Sequence, residues 1–182
     1  MRRSISFVLI LLSVLSLAAM AVAAEPGQPI LITSAGQSAD DMILKVMLER
    51  QFGNPVDRNP LAEASEVEGH QTLLLAVGVS NKGLGAAGIN LEQEKARLTS
   101  VLDAAKAADC YVIMVHIGGP SRRGAGSDEV ARLVAPYASK MIILADSNQD
   151  GFFDELAKEH DAALEIVESR NDVALIIADL VK

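Results

Sequence analysis

The chain has 182 residues, half of them hydrophobic but only 3% aromatic, with one cysteine and a formal net charge of −8. That length suits one domain with a substantial core. The acidic balance argues against nucleic acid and anionic membrane surfaces as partners, and the lone cysteine excludes an internal disulfide.

In chain order, Arg2 and Arg3 form a basic start, Ile5 to Met20 is apolar, and Ala21, Val22, Ala23 and Ala24 are small. This is the pattern of an export signal cleaved near Ala23 or Ala24. The apolar run falls short of the roughly 20 residues a spanning helix needs, and Pro26 and Gly27 follow at once. Residues 1–24 are therefore expected to be a removed signal peptide. Residues 25–182 are expected to form a single α/β domain that works in the periplasm or outside the cell. The only cysteine is Cys110, far from the cleavage point, so no lipid anchor is expected, and Ser4, Ile5 and Ser6 fit the twin-arginine route poorly.

The mature chain alternates short β-type runs with longer helical patterns, the signature of βαβ units and a parallel sheet. The expected strands are Ile30 to Ser34, Thr72 to Val79, Cys110 to Ile117, Lys140 to Ala145 and Ala163 to Val167. Their continuous apolar character predicts cover on both faces. Helices are expected over Ala39 to Phe52, Leu91 to Ala108, Ser127 to Ala138, Gly151 to His160 and Asn171 to Val181. In the first, Met42, Ile43, Val46, Met47 and Phe52 are expected to face inward. Gly53 to Gly69 reads as one long irregular connection. Five repeats of this kind predict a three-layer sandwich with a five-stranded parallel sheet, flavodoxin-like or Rossmann-like, with strand order 2-1-3-4-5.

In such folds ligands sit beyond the carboxyl ends of the strands. The loops that land there are Ser34 to Asp40, Ser80 to Asn90, Gly118 to Ser127 and Asp146 to Asp150, which hold most of the glycines and small polar residues. One of them contains Gly83-Leu84-Gly85-Ala86-Ala87-Gly88, a literal G-x-G-x-x-G. It fails as a dinucleotide site. Ser80, Asn81 and Lys82 separate it from the strand, Ile89 and Asn90 separate it from the helix, and the next strand ends in His116 to Gly119 rather than an acid. Lys82 precedes the glycines, so it is not a P-loop. The following helix should be capped by Asn90, with Gln93 completing a capping box. A flexible, backbone-rich loop beside one lysine is what remains.

The third loop places Arg122 and Arg123 between glycines. Guanidinium forks suit carboxylate, sulfate or phosphate, and Ser127 or Asp128 should cap the next helix. The alternative is that these arginines pair with Asp128, Glu129 or other rim acids and pin the loop. Asp146, Asn148 and Asp150 match the opening of a calcium loop, but Ala157 stands where the bidentate acid belongs. A capped turn, with Asn148 or Asp150 holding helix amides, is the competing account. His70, His116 and His160 have no zinc-like spacing, so no catalytic zinc is inferred, and no other cofactor is expected.

Gly36-Gln37-Ser38 resembles the first block of the SGNH esterases, which would make Ser38 a nucleophile; the closing D-x-x-H of that family is missing. A capping role for Ser38, supported by Asp41 three residues on, competes with it. A second resemblance spans nearly all of residues 28–182. Thr33 to Asp40, Lys82 to Ile89, His116 to Gly119 with Arg122-Arg123-Gly124, and Asn148 to Gly151 together resemble an uncharacterised family of exported bacterial α/β domains. That resemblance implies an extracytoplasmic protein and supplies no catalytic residue.

The sequence therefore favours binding over catalysis. A small anionic ligand is expected at the strand-end rim, with Lys82, Arg122 and Arg123 as charge partners, Ser34, Gln37, Ser38, Ser80 and Asn81 as polar contacts, and Gly83 and Gly85 as backbone. An esterase using Ser38 and a protein-interaction module using the same rim are the rival readings.

Overall fold

The computed structural model describes residues 24–182. The signal-peptide expectation for residues 1–23 lies outside the described residues, and among the described ones no helix is long and apolar enough to cross a membrane.

The elements are β1 (Ile30–Ala35), α1 (Asp40–Phe52), β2 (Asp57–Arg58), β3 (Thr72–Val77), α2 (Asn81–Ala86), α3 (Leu91–Ala107), β4 (Tyr111–His116), α4 (Ala125–Val134), β5 (Lys140–Leu144), α5 (Phe152–Glu159), β6 (Ala163–Val167) and α6 (Arg170–Leu180). They form one parallel sheet in the order β2-β1-β3-β4-β5-β6. The sheet thus has six strands rather than five. The extra one is β2, a two-residue strand inside the stretch read as irregular, too short for any alternation to reveal it. It lies outside β1, so the chain steps outward from β1 and then crosses back to β3. The five anticipated strands therefore lie in simple chain order, and β2 alone supplies the reversal. The switch point falls between β1 and β3.

Alternation along the buried strands divides the core into two layers. Leu73, Leu75, Met114, Met141 and Phe153 pack on one side with Leu98 and Leu102 of α3, Val130 of α4 and Leu156 of α5. Ile32, Leu74, Ile113 and Ile142 pack on the other with Leu44 and Leu48 of α1 and Ile177 of α6. Cys110 is buried in the first layer as expected, and burial pushes its thiol up to about 11.

Two packing expectations need correction. In α1 the buried stripe is Leu44 and Leu48, flanked by Ile43, Met47 and Phe52, while Met42 and Val46 are 44% and 39% exposed. At about 100° per residue, positions two apart point to nearly opposite sides, so burying Leu44 turns Met42 and Val46 outward. Strand β6 is an edge with only its last residue fully buried, not a strand covered on both faces.

Candidate functional site

At the carboxyl ends of β1 and β3 the backbones cross at close range, and glycines permit it. Gly36 has φ +114°, and a Cβ there would lie 2.6 Å from the Gly78 carbonyl oxygen. Beyond the crossing, the segment expected to be a flexible loop is the helix α2. Ser80 caps it through Oγ, which accepts from Gly83 N at 3.1 Å, and Leu84 N donates to the Ser80 carbonyl at 2.8 Å. Gly83 faces inward: a Cβ on it would stand 1.8 Å from the Gln37 carbonyl oxygen. This glycine serves close packing of α2 on the β1 loop, a tertiary reason that no local pattern announces. Gly85, Asn81 and Lys82 are exposed on the outer side of α2.

The β1 loop is tied down from beneath by Glu94, which is fully buried on α3. Its carboxylate accepts from Gly36 N at 2.9 Å and from Gln37 Nε2 at 3.1 Å, and pairs with Arg97 at 2.9 Å. Arg97 also donates to the carbonyls of Ser34 at 2.6 Å and Ala62 at 2.8 Å. Gln37, at φ 61°, is thus turned downward into this network and away from the rim. Ser34 is likewise buried, its hydroxyl donating to the Ser38 carbonyl at 3.4 Å. Both residues are structural in this arrangement. The i, i+3 spacing of Glu94 and Arg97 on a helix is the only trace of the network in the sequence.

Ser38 Oγ donates to Asp40 Oδ2 at 3.0 Å, and both residues are nearly buried, at 4% and 6% exposure. No histidine hydrogen-bonds Ser38 among the described residues, so the esterase reading finds no base for its nucleophile. The capping expectation for Ser38 also needs correction: the N-cap of α1 is Ala39, Ser38 accepts only a 3.4 Å bond from Asp40 N, and Asp41 turns to Arg58 of β2 in an ion pair of 2.7 Å.

Asp40 sits under Gly78 and Gly118. A methyl group on Gly118 would lie 2.1 Å from Arg122 Cγ and 2.9 Å from Asp40 Oδ2, so the Arg122 stem rests on the bare face of Gly118 beside that carboxylate. His116 closes the end of β4 at 1% exposure, its Nδ1 hydrogen-bonded to the Val77 carbonyl at 2.8 Å and its Nε2 buried without a partner. Its ring centroid is 5.3 Å from that of Phe153. Burial holds His116 below the ordinary histidine range, against the Val77 and Gly119 carbonyls and the charge of Asp40. Asp40 and His116 were not among the expected site residues; one opens α1 and the other ends β4, polar side chains at element ends, a signal present in the sequence but unspecific.

The paired arginines do different things. Arg123 forks between Asp128 at 2.8 Å and Asp150 at 2.9 Å, donates to the Ser147 carbonyl, and stacks 4.5 Å from the Phe152 ring centroid. The hydrogen bonds it donates to Asp128 and Asp150 raise its affinity for its proton further, and Arg123 in turn lowers Asp150. This is the loop-pinning arrangement. Arg122, by contrast, makes no ion pair among the described residues, and neither does Lys82. An open depression of about 420 Å³ lies at Arg123 instead, lined also by Pro120, Asp128, Asp146 and Asp150, and neither Arg122 nor Lys82 lines it.

Helix starts are partly as expected. Asn90 and Gln93 form the capping box of α3. Asn148 Oδ1 accepts from Phe153 N at 2.9 Å and Asp150 Oδ1 from Phe152 N at 3.3 Å, which is the capped-turn account of the Asp146 loop. Ser127 does not cap α4, which begins two residues earlier; its hydroxyl accepts from Val79 N at 2.9 Å and so fixes the β3 end. Among the described residues no three His, Cys, Asp or Glu side chains cluster as metal ligands.

No curated protein matches the chain. A family model described as a domain of unknown function, DUF6305, matches residues 27–181, which is essentially the whole sandwich and every group described above. The chain belongs to the DUF6305 family.

Proposed function

We propose that the domain binds a small ligand through an anionic group at the carboxyl ends of β1, β3 and β4. Arg122 and Lys82 supply the charge, with Ser80, Asn81 and the Ser38–Asp40 pair beside them. The observation that carries the reading is the contrast between neighbours: Arg123 is saturated by Asp128 and Asp150, whereas Arg122 extends over Gly118 with no acid partner among the described residues. The position at the switch between β1 and β3 supports it, since that is where open parallel sheets place ligands. Arg123 belongs to the reading as the anchor of the loop and not as a ligand contact. A thermal-shift screen with phosphate, sulfate and small carboxylates tests this. Stabilisation by at least one anion, lost in Arg122→Ala, is expected; an absence of any shift overturns it.

We also propose that the protein acts outside the cytoplasm after removal of residues 1–24. Mass determination of the protein recovered from outside the cytoplasm should give a chain beginning near Glu25, and a full-length chain retained in the cytoplasm refutes the export reading.

A further inference from the structure

Two side chains, Asp40 and His116, describe a second group on the ligand beside the one at Arg122, an inference that rests on the anion-binding reading above. Asp40 is 6% exposed, forms no ion pair among the described residues, and accepts only the Ser38 hydroxyl at 3.0 Å. A carboxylate so far removed from water ordinarily meets a cation or several donors. His116 is 1% exposed; it gives its Nδ1–H to the Val77 carbonyl and leaves Nε2 buried without a hydrogen bond, although the Gly119 carbonyl also acts on the ring. Two nearly buried acceptors thus stand short of donors next to one basic side chain short of an acid.

We infer that the ligand is a small acid carrying a hydrogen-bond donor, ammonium or hydroxyl, on the carbon next to its anionic group, with the anion on Arg122 and the donor facing Asp40 and His116. A plain anion drawn to Arg122 meets like charge at Asp40, whose Oδ2 lies 2.9 Å from the point where a Gly118 side chain would begin. A donor beside the anion turns that repulsion into a hydrogen bond and gives Nε2 a partner. Asp40 Oδ2 lies against two glycines: the Arg122 stem rests on Gly118, and Gly78 also lacks a Cβ.

The test is calorimetric titration of the protein with propionate, lactate and alanine and with their four-carbon homologues. The three share a carboxylate and differ at the neighbouring carbon. Lactate or alanine is expected to bind about 10- to 100-fold tighter than propionate, the usual result when a buried acceptor loses its donor. Which of the two leads separates hydroxyl from ammonium. Arg122→Ala should weaken all three, whereas Asp40→Asn and His116→Asn should narrow the gap between them; if His116→Asn does not fold, Asp40→Asn decides alone. Equal binding of all three that Arg122→Ala still abolishes overturns this inference and leaves the anion reading standing. A gap unchanged in the Asp40 and His116 variants overturns it as well, because the donor then lies elsewhere. No binding by any of these acids overturns this inference, and the anion reading falls with it only if phosphate and sulfate also give no thermal shift.

Discussion

Replacing Gly83 by alanine separates a packing glycine from a ligand-loop glycine. The added Cβ would stand 1.8 Å from the Gln37 carbonyl oxygen and 3.2 Å from Gln37 Cβ. The nearest atom is backbone, held in place by the Glu94 network, so it cannot rotate aside, and α2 must move off the β1 loop. At an approach this close overpacking costs about 2–3 kcal/mol, and alanine's better helix propensity recovers about 1 kcal/mol, for a net loss of about 1–2 kcal/mol. In a domain of this size that is a fall in Tm of about 2–8 °C. Gly85 is the internal control: it lies in the same helix with nothing within 4 Å of an added Cβ. Gly85→Ala should therefore raise Tm by about 1–4 °C through reduced entropy of the unfolded chain. Circular-dichroism melts of the two variants beside the parent decide the matter. If Gly83→Ala melts at or above the parent, the packing of α2 on Gln37 is wrong and the segment is the open loop its glycine content suggests.

Glu94→Ala should destabilise by about 3–5 kcal/mol in urea denaturation, because it strands Arg97 and leaves Gly36 N–H and Gln37 Nε2 without their acceptor; a loss below about 1 kcal/mol refutes the network's role. Arg123→Ala should cost about 1–3 kcal/mol while Arg122→Ala stays within about 0.5 kcal/mol of the parent, so equal effects in ligand-free melts would contradict the division of labour between them. Because burial lowers His116, the unfolded chain takes up a proton there before the folded one does. Stability from this group is then complete above about pH 6.5 and falls as pH drops from there toward the lowered folded value. His116→Asn should flatten that part of the stability–pH curve, and an unchanged slope between parent and variant counts against a neutral buried ring.

The strands were legible because a fully covered parallel sheet writes itself as uninterrupted apolar runs, as in Thr72 to Val77, where every residue is buried. Caps were legible where both partners are close in sequence: Asn90 with Gln93, and Asn148 with the amide of Phe153. What escaped depends on distant contacts. Strand β2 exists only because Asp57 and Arg58 lie beside Leu31 and Ile32. Helix α2 has three small residues, two of them glycines, among its six positions, and it forms because Ser80 caps it and Gln37 receives Gly83. Arg122 and Arg123 are indistinguishable as a dipeptide. Only the approach of Asp150, 27 residues away, assigns one of them to the scaffold.

The acids around the Arg122 rim carry a kinetic consequence for any anion that binds there. Asp128, Asp146 and Asp150 line the adjoining depression, and the chain as a whole is at −8. An approaching anion is therefore repelled over the first ten or so ångströms of its path, about one Debye length at 0.1 M salt, and attracted only at contact range. Added salt shortens the reach of the repulsion more than it weakens the final contact. Association should quicken with ionic strength, the reverse of the behaviour of a basic groove, and selectivity then rests on short-range fit at Arg122 instead of on gathering anions from solution.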